Sequence, residues 1–285
     1  MLQHIFHRLI PDKPTMNPHF TAAQPLAAAD DPNSVAVTAA THWTPSLFSF
    51  QLERPSHFRF RSGEFAMIGL IQPDGRPLLR AYSMASPSWD DQLEFYSIII
   101  PDGPLTSRLC HIAAGDHLYL RAKTTGTLVL DTITPGKRLF LLSTGTGFAP
   151  FASIIRDPQT YELFDQVIVT HTCRNHADLG FSQYIVDAAT NHPLIGEMIA
   201  PRLTYYPSLT RENFRHQGRI TSILKSGKLF EDLNIPALDP ANDRVMICGS
   251  MGLNKDVSAF LQVRGFVEGS HNTPASYVVE RAFVG

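Results

Sequence analysis

Several short segments of the chain carry side chains suited to gripping a nucleotide. Arg80-Ala81-Tyr82-Ser83 sets a guanidinium and an aromatic plane at alternate positions. In an extended strand such positions share a face. Tyr82 could then stack on a flat ring while Arg80 pairs with the phosphate of the same cofactor. Ser83 turns the other way, or reaches the ring edge if the strand ends there. Further on, Gly103-Pro104 makes a turn, and Leu105, Leu109 and Ile112 have helical spacing. Thr106 and Ser107 fall in the first turn of that short helix, where amides and hydroxyls suit a pyrophosphate.

A third segment, Ser143-Thr144-Gly145-Thr146-Gly147-Phe148-Ala149-Pro150, directly follows an apolar run. Its glycines let backbone approach phosphate oxygens at the mouth of a helix. It is neither the dinucleotide fingerprint, because Pro150 takes the third glycine position, nor a P-loop, because no Gly-Lys-Ser/Thr follows. Downstream, Arg174 closes His171-Thr172-Cys173-Arg174, Arg211 lies in Thr210-Arg211-Glu212, and Arg219 lies in Gly218-Arg219-Ile220-Thr221. Three guanidiniums in loops at one sheet edge suit a 2′-phosphate, the group that separates NADP from NAD. Cys248-Gly249-Ser250 ends a last strand, where a nicotinamide would lie. Taken singly, these segments also read as a solvated Arg beside a half-buried Tyr, a capped linking helix, a tight turn and surface charge.

The elements that must position them change texture near residue 135. Residues 35–38, 47–52, 65–70, 93–100 and 117–120 are rich in β-branched, aromatic and aliphatic residues and are separated by turn formers. Closely spaced strands of this kind predict a small antiparallel barrel. Beyond Thr134-Pro135-Gly136, apolar strands at 138–143, 166–171, 202–206 and 244–248 alternate with helical patterns at 151–156, 182–190, 220–227 and 253–265. That alternation predicts a parallel sheet with crossovers. The expected division is an N-terminal extension (1–33, poorly ordered), a β-barrel domain (34–135) and an α/β domain (136–285) whose tail (276–285) returns to the barrel.

With 285 residues there is room for two cores. Lys+Arg 24 against Asp+Glu 26 argues against a nucleic-acid binder. The sequence offers no apolar run of the ~20 residues that span a bilayer, nor an unbroken apolar stretch of signal-peptide kind near the start. Cys110, Cys173 and Cys248 are too scattered for a disulfide framework, zinc or an iron–sulfur cluster. A cytoplasmic protein without a metal is the expectation.

In combination and order, RAYS, DGPLTSRL, STGTGFAP, HTCR, CGS and the terminal YVVERAFVG resemble ferredoxin/flavodoxin–NADP reductases of the bacterial subclass, over residues 34–285. The resemblance implies an FAD-binding barrel joined to an NADP-binding α/β domain. It implies that Arg80, Ala81, Tyr82 and Ser83 hold FAD, with Phe95, Tyr96 and Ser97 lining the flavin and Leu105, Thr106 and Ser107 at the pyrophosphate. Gly145, Thr146 and Gly147 would face NADP(H), with Arg174, Arg211 and Arg219 at its 2′-phosphate and Cys248 and Gly249 beside the nicotinamide. Ser83, Cys248, Glu280 and Ala282 would surround the reacting rings.

The tail departs from plant-type members, which end in an aromatic. Here Ala282 would face the flavin and Phe283 would stack on the adenine of a folded FAD. The implied activity moves electrons between NADPH and a one-electron carrier, ferredoxin or flavodoxin, in a monomer. Arg54, Arg59, Arg61, Arg76 and Arg80 could steer such an acidic carrier. Alternatives are the NAD(P)H-dependent reductase of an oxygenase or one of cytochrome b5 reductase type. A non-enzymatic flavin-binding regulator is a third.

Overall fold

A computed structural model of the chain describes residues 27–72 and 74–281. Its first half holds strands β1 (Ser34–Thr44), β2 (Leu47–Glu53), β3 (Phe65–Ile71), β4 (Pro77–Ser83), β5 (Gln92–Ile98) and β6 (His117–Thr125), with one helical turn, α1 (Thr106–Leu109). The sheet order is β4-β3-β6-β1-β2-β5, with antiparallel pairing throughout. A bridge between Met84 and Phe95 joins the two edge strands, and the Ala85 amide donates to the Glu94 carbonyl at 2.7 Å. Closing the sheet in this way removes the unpaired edges that an open sheet exposes. Phe48, Phe50, Leu52, Ile68, Leu93 and Phe95 fill the interior, and the Phe50 and Phe95 rings stack at 5.3 Å.

Residues 27–33, expected to belong to a loose extension, are tied to this barrel instead. Tyr119 Oη donates to Asp31 Oδ2 at 2.6 Å, and the Leu120 amide donates to the Asn33 carbonyl at 2.9 Å. Polar pairing with the sequence-distant β6 holds a segment whose composition gave no period. The rest of the expected extension lies outside the described residues.

The second half alternates β7 (Arg138–Thr144), α2 (Ala149–Ile154), α3 (Pro158–Leu163), β8 (Gln166–Cys173), α4 (Gly180–Thr190), α5 (Gly196–Ile199) and β9 (Leu203–Leu209). It continues through α6 (Ile220–Lys225), α7 (Lys228–Leu233), β10 (Asp243–Cys248), α8 (Met251–Gln262) and β11 (Tyr277–Val279). The five strands run parallel in the order β11-β10-β7-β8-β9. Helices cover both faces, which is why the strands read as continuous apolar runs. Leu139, Leu141, Val167, Val169 and Met246 pack with α2 and α4. The intervening Phe140, Leu142, Ile168, Val245 and Ile247 pack with α6, α7 and α8. Leu128, Leu130 and Ile133 join the first of these clusters, so by packing this half begins before residue 135. Among the described residues no helix is long and apolar enough to cross a membrane.

Side chains bind the halves together. Arg156 pairs with Glu94 at 2.9 Å, both largely buried, and also donates to the Ala85 carbonyl. Ser62 donates to Asp157 at 2.5 Å. Tyr96 of β5 stacks on Phe181 of α4 at 4.2 Å.

Candidate functional site

The chain runs outward from β7 through β8 to β9, then crosses back to β10 on the other side of β7. Such a reversal opens a crevice at the carboxyl ends of the strands, the usual place for a ligand in a sheet of this kind. The register lines those ends up: Cys248 pairs with Ser143, Ser143 with His171, and His171 with Pro207. The loops bearing Gly145–Gly147, Arg174, Arg211 and Cys248-Gly249 therefore leave the sheet side by side.

The glycine turn is drawn tight against the β10 end. A Cβ on Gly147 would stand 2.4 Å from the Cys248 carbonyl oxygen, and one on Gly249 would stand 2.3 Å from Thr144 Oγ1. The Ser250 amide donates to that same Thr144 hydroxyl at 3.2 Å. Gly145 differs from its neighbours. Its φ is +53°, and a Cβ there would meet nothing within 4 Å, so conformation demands this glycine while its outer side stays open. An open backbone turn before α2 fits a dinucleotide phosphate.

Arg174 and Arg211 are joined through their backbones, the Arg211 amide donating to the Arg174 carbonyl at 3.0 Å. Arg219 precedes α6 in the same connection from β9 that carries Arg211, and the Leu209–Gln217 bridge folds this connection back onto the strand end. All three are exposed, and none has an ion pair among the described residues. Arg174 and Arg211 are thus backbone neighbours, and Arg219 lies further along the connection from β9 to α6.

On the barrel, Tyr82 and Ser83 end β4. Tyr82 shares a 3.2 Å hydrogen bond with Ser97 and packs edge-on against Phe50. Burial raises the pKa of its phenol, so the ring stays neutral. Ser83 Oγ is buried and has no hydrogen-bond partner among the described residues. Such an orphan is uncommon, and it fits a flavin whose polar ring edge reaches it. Arg80 is exposed, its guanidinium donating to the Leu79 carbonyl at 2.9 Å, and Ala81 is half-buried.

Four expectations need correcting in this half. Phe95 is fully buried in the barrel core against Phe50, so its side chain offers no surface to a ligand. Tyr96 points the opposite way, as strand alternation requires, into the junction with α4. Leu105 is likewise a core side chain. Thr106 Oγ1 is already engaged, donating to the Ile100 carbonyl at 3.2 Å and accepting from the Ile100 amide at 3.1 Å. Ser107, whose hydroxyl is not so used, is the better candidate for an anion.

The steering arginines also change role. Arg54 donates to the carbonyls of Phe58, Ser88 and Asp90; Arg59 donates to those of Ser56 and Phe58. Arg61 is paired with Glu64 and Asp131, and Arg76 with Asp74.

Glu280 follows β11 and reaches back to the barrel. Its carboxylate accepts from the Thr127 amide at 2.9 Å and hydroxyl at 3.2 Å, while Thr127 Oγ1 also donates to the Val279 carbonyl at 2.8 Å. Asn254 of α8 donates to the Glu280 carbonyl at 3.0 Å. Burial and the Glu280 carboxylate both push the Cys248 thiol up, so it is no thiolate nucleophile. Ala282 and Phe283 lie outside the described residues.

Sequence reasoning quoted His171 inside a motif without giving it a role. It is fully buried, with Nε2 2.8 Å from the Gly145 carbonyl oxygen and Nδ1 2.7 Å from Ser182 Oγ. Thr127 carries no signal in the sequence; the returning tail, which brings Glu280 against it, is what marks it.

Residues 141–259 match the family described as oxidoreductase NAD-binding domain. The flavodoxin/ferredoxin–NADP reductase of Rhodobacter capsulatus is 55% identical over 254 residues, covering 89% of this chain and 94% of that protein. The ferredoxin–NADP reductase of Pseudomonas aeruginosa is 49% identical over 249 residues, 87% of this chain and 96% of that one. A solved ferredoxin NADP+ reductase from Neisseria gonorrhoeae with bound FAD and NADP superposes with a TM-score of 0.79 at 29% identity, covering 88% of this chain and 98% of that chain. With an antiparallel barrel joined to a parallel sheet that carries a strand-end glycine turn, and relatives matched along almost their whole length, the chain belongs to the flavodoxin/ferredoxin–NADP reductase family.

Proposed function

We propose that this protein is an FAD-dependent reductase exchanging electrons between NADPH and a one-electron carrier, ferredoxin or flavodoxin. Two features support the reading, the Tyr82–Ser83 end of β4 with its buried serine hydroxyl and the open Gly145–Gly147 turn at the end of β7, in a chain 55% identical to a flavodoxin/ferredoxin–NADP reductase. FAD held here would supply two-electron hydride acceptance and one-electron release, chemistry that side chains alone do not offer.

The residues position and tune. Tyr82 supports one face of the flavin and Ser83 offers a hydroxyl to its edge. Arg80 and Ser107 face the FAD phosphates. Gly145, Thr146 and Gly147 admit the NADP(H) pyrophosphate, and Arg174, Arg211 and Arg219 select its 2′-phosphate. Glu280, fixed by Thr127, and the protonated Cys248 shape the place where the two rings meet and keep it dry. Ala282 and Phe283 are assigned to the flavin and adenine faces of FAD on the resemblance alone. On this reading residues 34–135 hold FAD and residues 136–285 hold NADP(H).

The carrier docks at the exposed flavin side, with Arg80 the sole member of the barrel arginine set to keep a direct part. The reading includes a cytoplasmic monomer, supported by three buried free thiols of the kind a reducing compartment preserves. Steady-state reduction of a flavodoxin or ferredoxin with NADPH and with NADH tests it. Turnover preferring NADPH by at least an order of magnitude is expected. Equal turnover with NADH would favour the cytochrome b5 reductase-type alternative.

A further inference from the structure

We propose that His171 is a positioning residue for the nucleotide pyrophosphate, its Nε2–H anchoring the Gly145 carbonyl and so fixing the turn that receives the phosphates. The inference rests on the reading of the sheet-end site as the NADP(H) site and names a determinant of it outside the glycine and arginine motifs.

A carbonyl oxygen only accepts, so the 2.8 Å contact to Gly145 requires the proton on Nε2. Nδ1 is then bare, and Ser182 Oγ, 2.7 Å from it, shares its one proton between this nitrogen and the Leu179 carbonyl at 2.9 Å, while Tyr205 Oη donates to Ser182 Oγ at 2.6 Å. The result is one connected chain of contacts: Tyr205 to Ser182 to His171 to Gly145. Phe148 flanks the imidazole at 4.9 Å and Cys173 Sγ lies 3.2 Å from Nε2, so the ring is held on several sides. The strand register puts His171 beside Ser143, one strand over from the start of the turn.

The anchored residue has the freedom that needs fixing. Gly145 sits at φ +53° with open space on its outer side, and a glycine peptide there can rotate at little steric cost. Rotation would swing the carbonyl oxygen towards the bound phosphates, replacing attraction by repulsion. Holding that oxygen inward leaves the outer side of the turn to backbone N–H groups.

Titration calorimetry on the FAD-loaded protein tests this with two probes, NADP+ and adenosine 2′-monophosphate. The second carries the 2′-phosphate but no pyrophosphate. His171→Phe keeps a ring and removes the donor; NADP+ affinity is expected to fall about tenfold, the size of one lost hydrogen bond at a preorganised site. Adenosine 2′-monophosphate affinity stays within about twofold. His171→Gln, which retains a donor at the same reach, recovers most of the loss. Ser182→Ala, which leaves the ring but frees its orientation, gives a smaller loss with the same preference for the pyrophosphate probe. It also carries the test if the Phe variant fails to fold. Equal weakening of both probes, or undiminished NADP+ binding in the variants, overturns the proposal. Wild-type protein that binds neither probe overturns the functional reading itself, and the His171 inference with it.

Discussion

At the end of β4, Ser83 Oγ is buried with no partner among the described residues, beside a tyrosine held by a 3.2 Å hydrogen bond to Ser97. At the end of β7, the Gly145 carbonyl, the Thr144 hydroxyl and the Ser250 amide all have protein partners. On the proposed function the barrel end receives a group that stays, because an unsatisfied buried hydroxyl is costly. These turn groups at the sheet end are already paired within the protein, as suits a ligand that comes and goes without rebuilding the turn. On that reading one molecule carries a site for a resident group and a site for an exchanging one.

The most forceful way to break this comparison is to part the two ends. Arg156→Ala strands Glu94 in the junction, and losing one partner of such a buried pair should cost about 4 kcal/mol. Denaturant unfolding would then show the barrel and the sheet melting separately, where the parent shows one transition. A variant that still unfolds in one transition at unchanged denaturant concentration would show that the halves are joined by other contacts.

Acid should act on the sheet end. Burial pushes the His171 pKa down to about 4 from its ordinary 6.5. As pH falls through 6.5 the unfolded chain takes up this proton and the folded one does not. Stability is therefore lost between pH 6.5 and 4, roughly 3 kcal/mol in all, with no further loss from this residue below 4. His171→Gln should flatten that part of the stability–pH curve. An unaltered slope would locate the acid sensitivity elsewhere.

At the barrel end, Tyr82→Ala removes the stacking plane. FAD affinity should drop about a hundredfold, some 2.7 kcal/mol, read from the flavin retained after gel filtration. NADP+ affinity should change little if the two ends are as independent as their wiring implies.

Substituting one arginine sharpens the contrast further. Arg211→Ala or Arg219→Ala should raise the KM for NADPH about tenfold and leave that for NADH unaltered, since one charge-assisted bond to the 2′-phosphate is lost. Equal changes for both cofactors would place the side chain elsewhere. The smallest effect is expected from Ser83→Ala. Removing an unpartnered buried hydroxyl should leave unfolding stability within about 0.5 kcal/mol while slowing flavin reduction several-fold in stopped flow.

How far the sequence foretold this depended on the range of the interaction. The barrel-then-sheet order, the strand-end glycine turn and the basic loops were legible because each rests on local periodicity or turn chemistry. Strand order was not, and with it went the role of His171, which sits beside the turn only because β8 pairs with β7 in that register. The same gap hid Thr127, which meets Glu280 through the tail's return. Phe95 and Tyr96 show a subtler limit. A hydrophobic pair on one strand must point to opposite sides, but which side holds the core and which the neighbouring half is a tertiary fact. Arg54, exposed to the eye of composition, is spent on three backbone carbonyls.

The central claim is that a flavin rests on Tyr82 within reach of a nicotinamide brought by the sheet. The visible spectrum of the purified protein, taken under anaerobic conditions before and after NADPH is added, tests it most directly. The account predicts a yellow protein whose flavin bands bleach with NADPH and far more slowly with NADH. A colourless protein that takes up no FAD, or a yellow one that NADPH leaves unbleached, would contradict it.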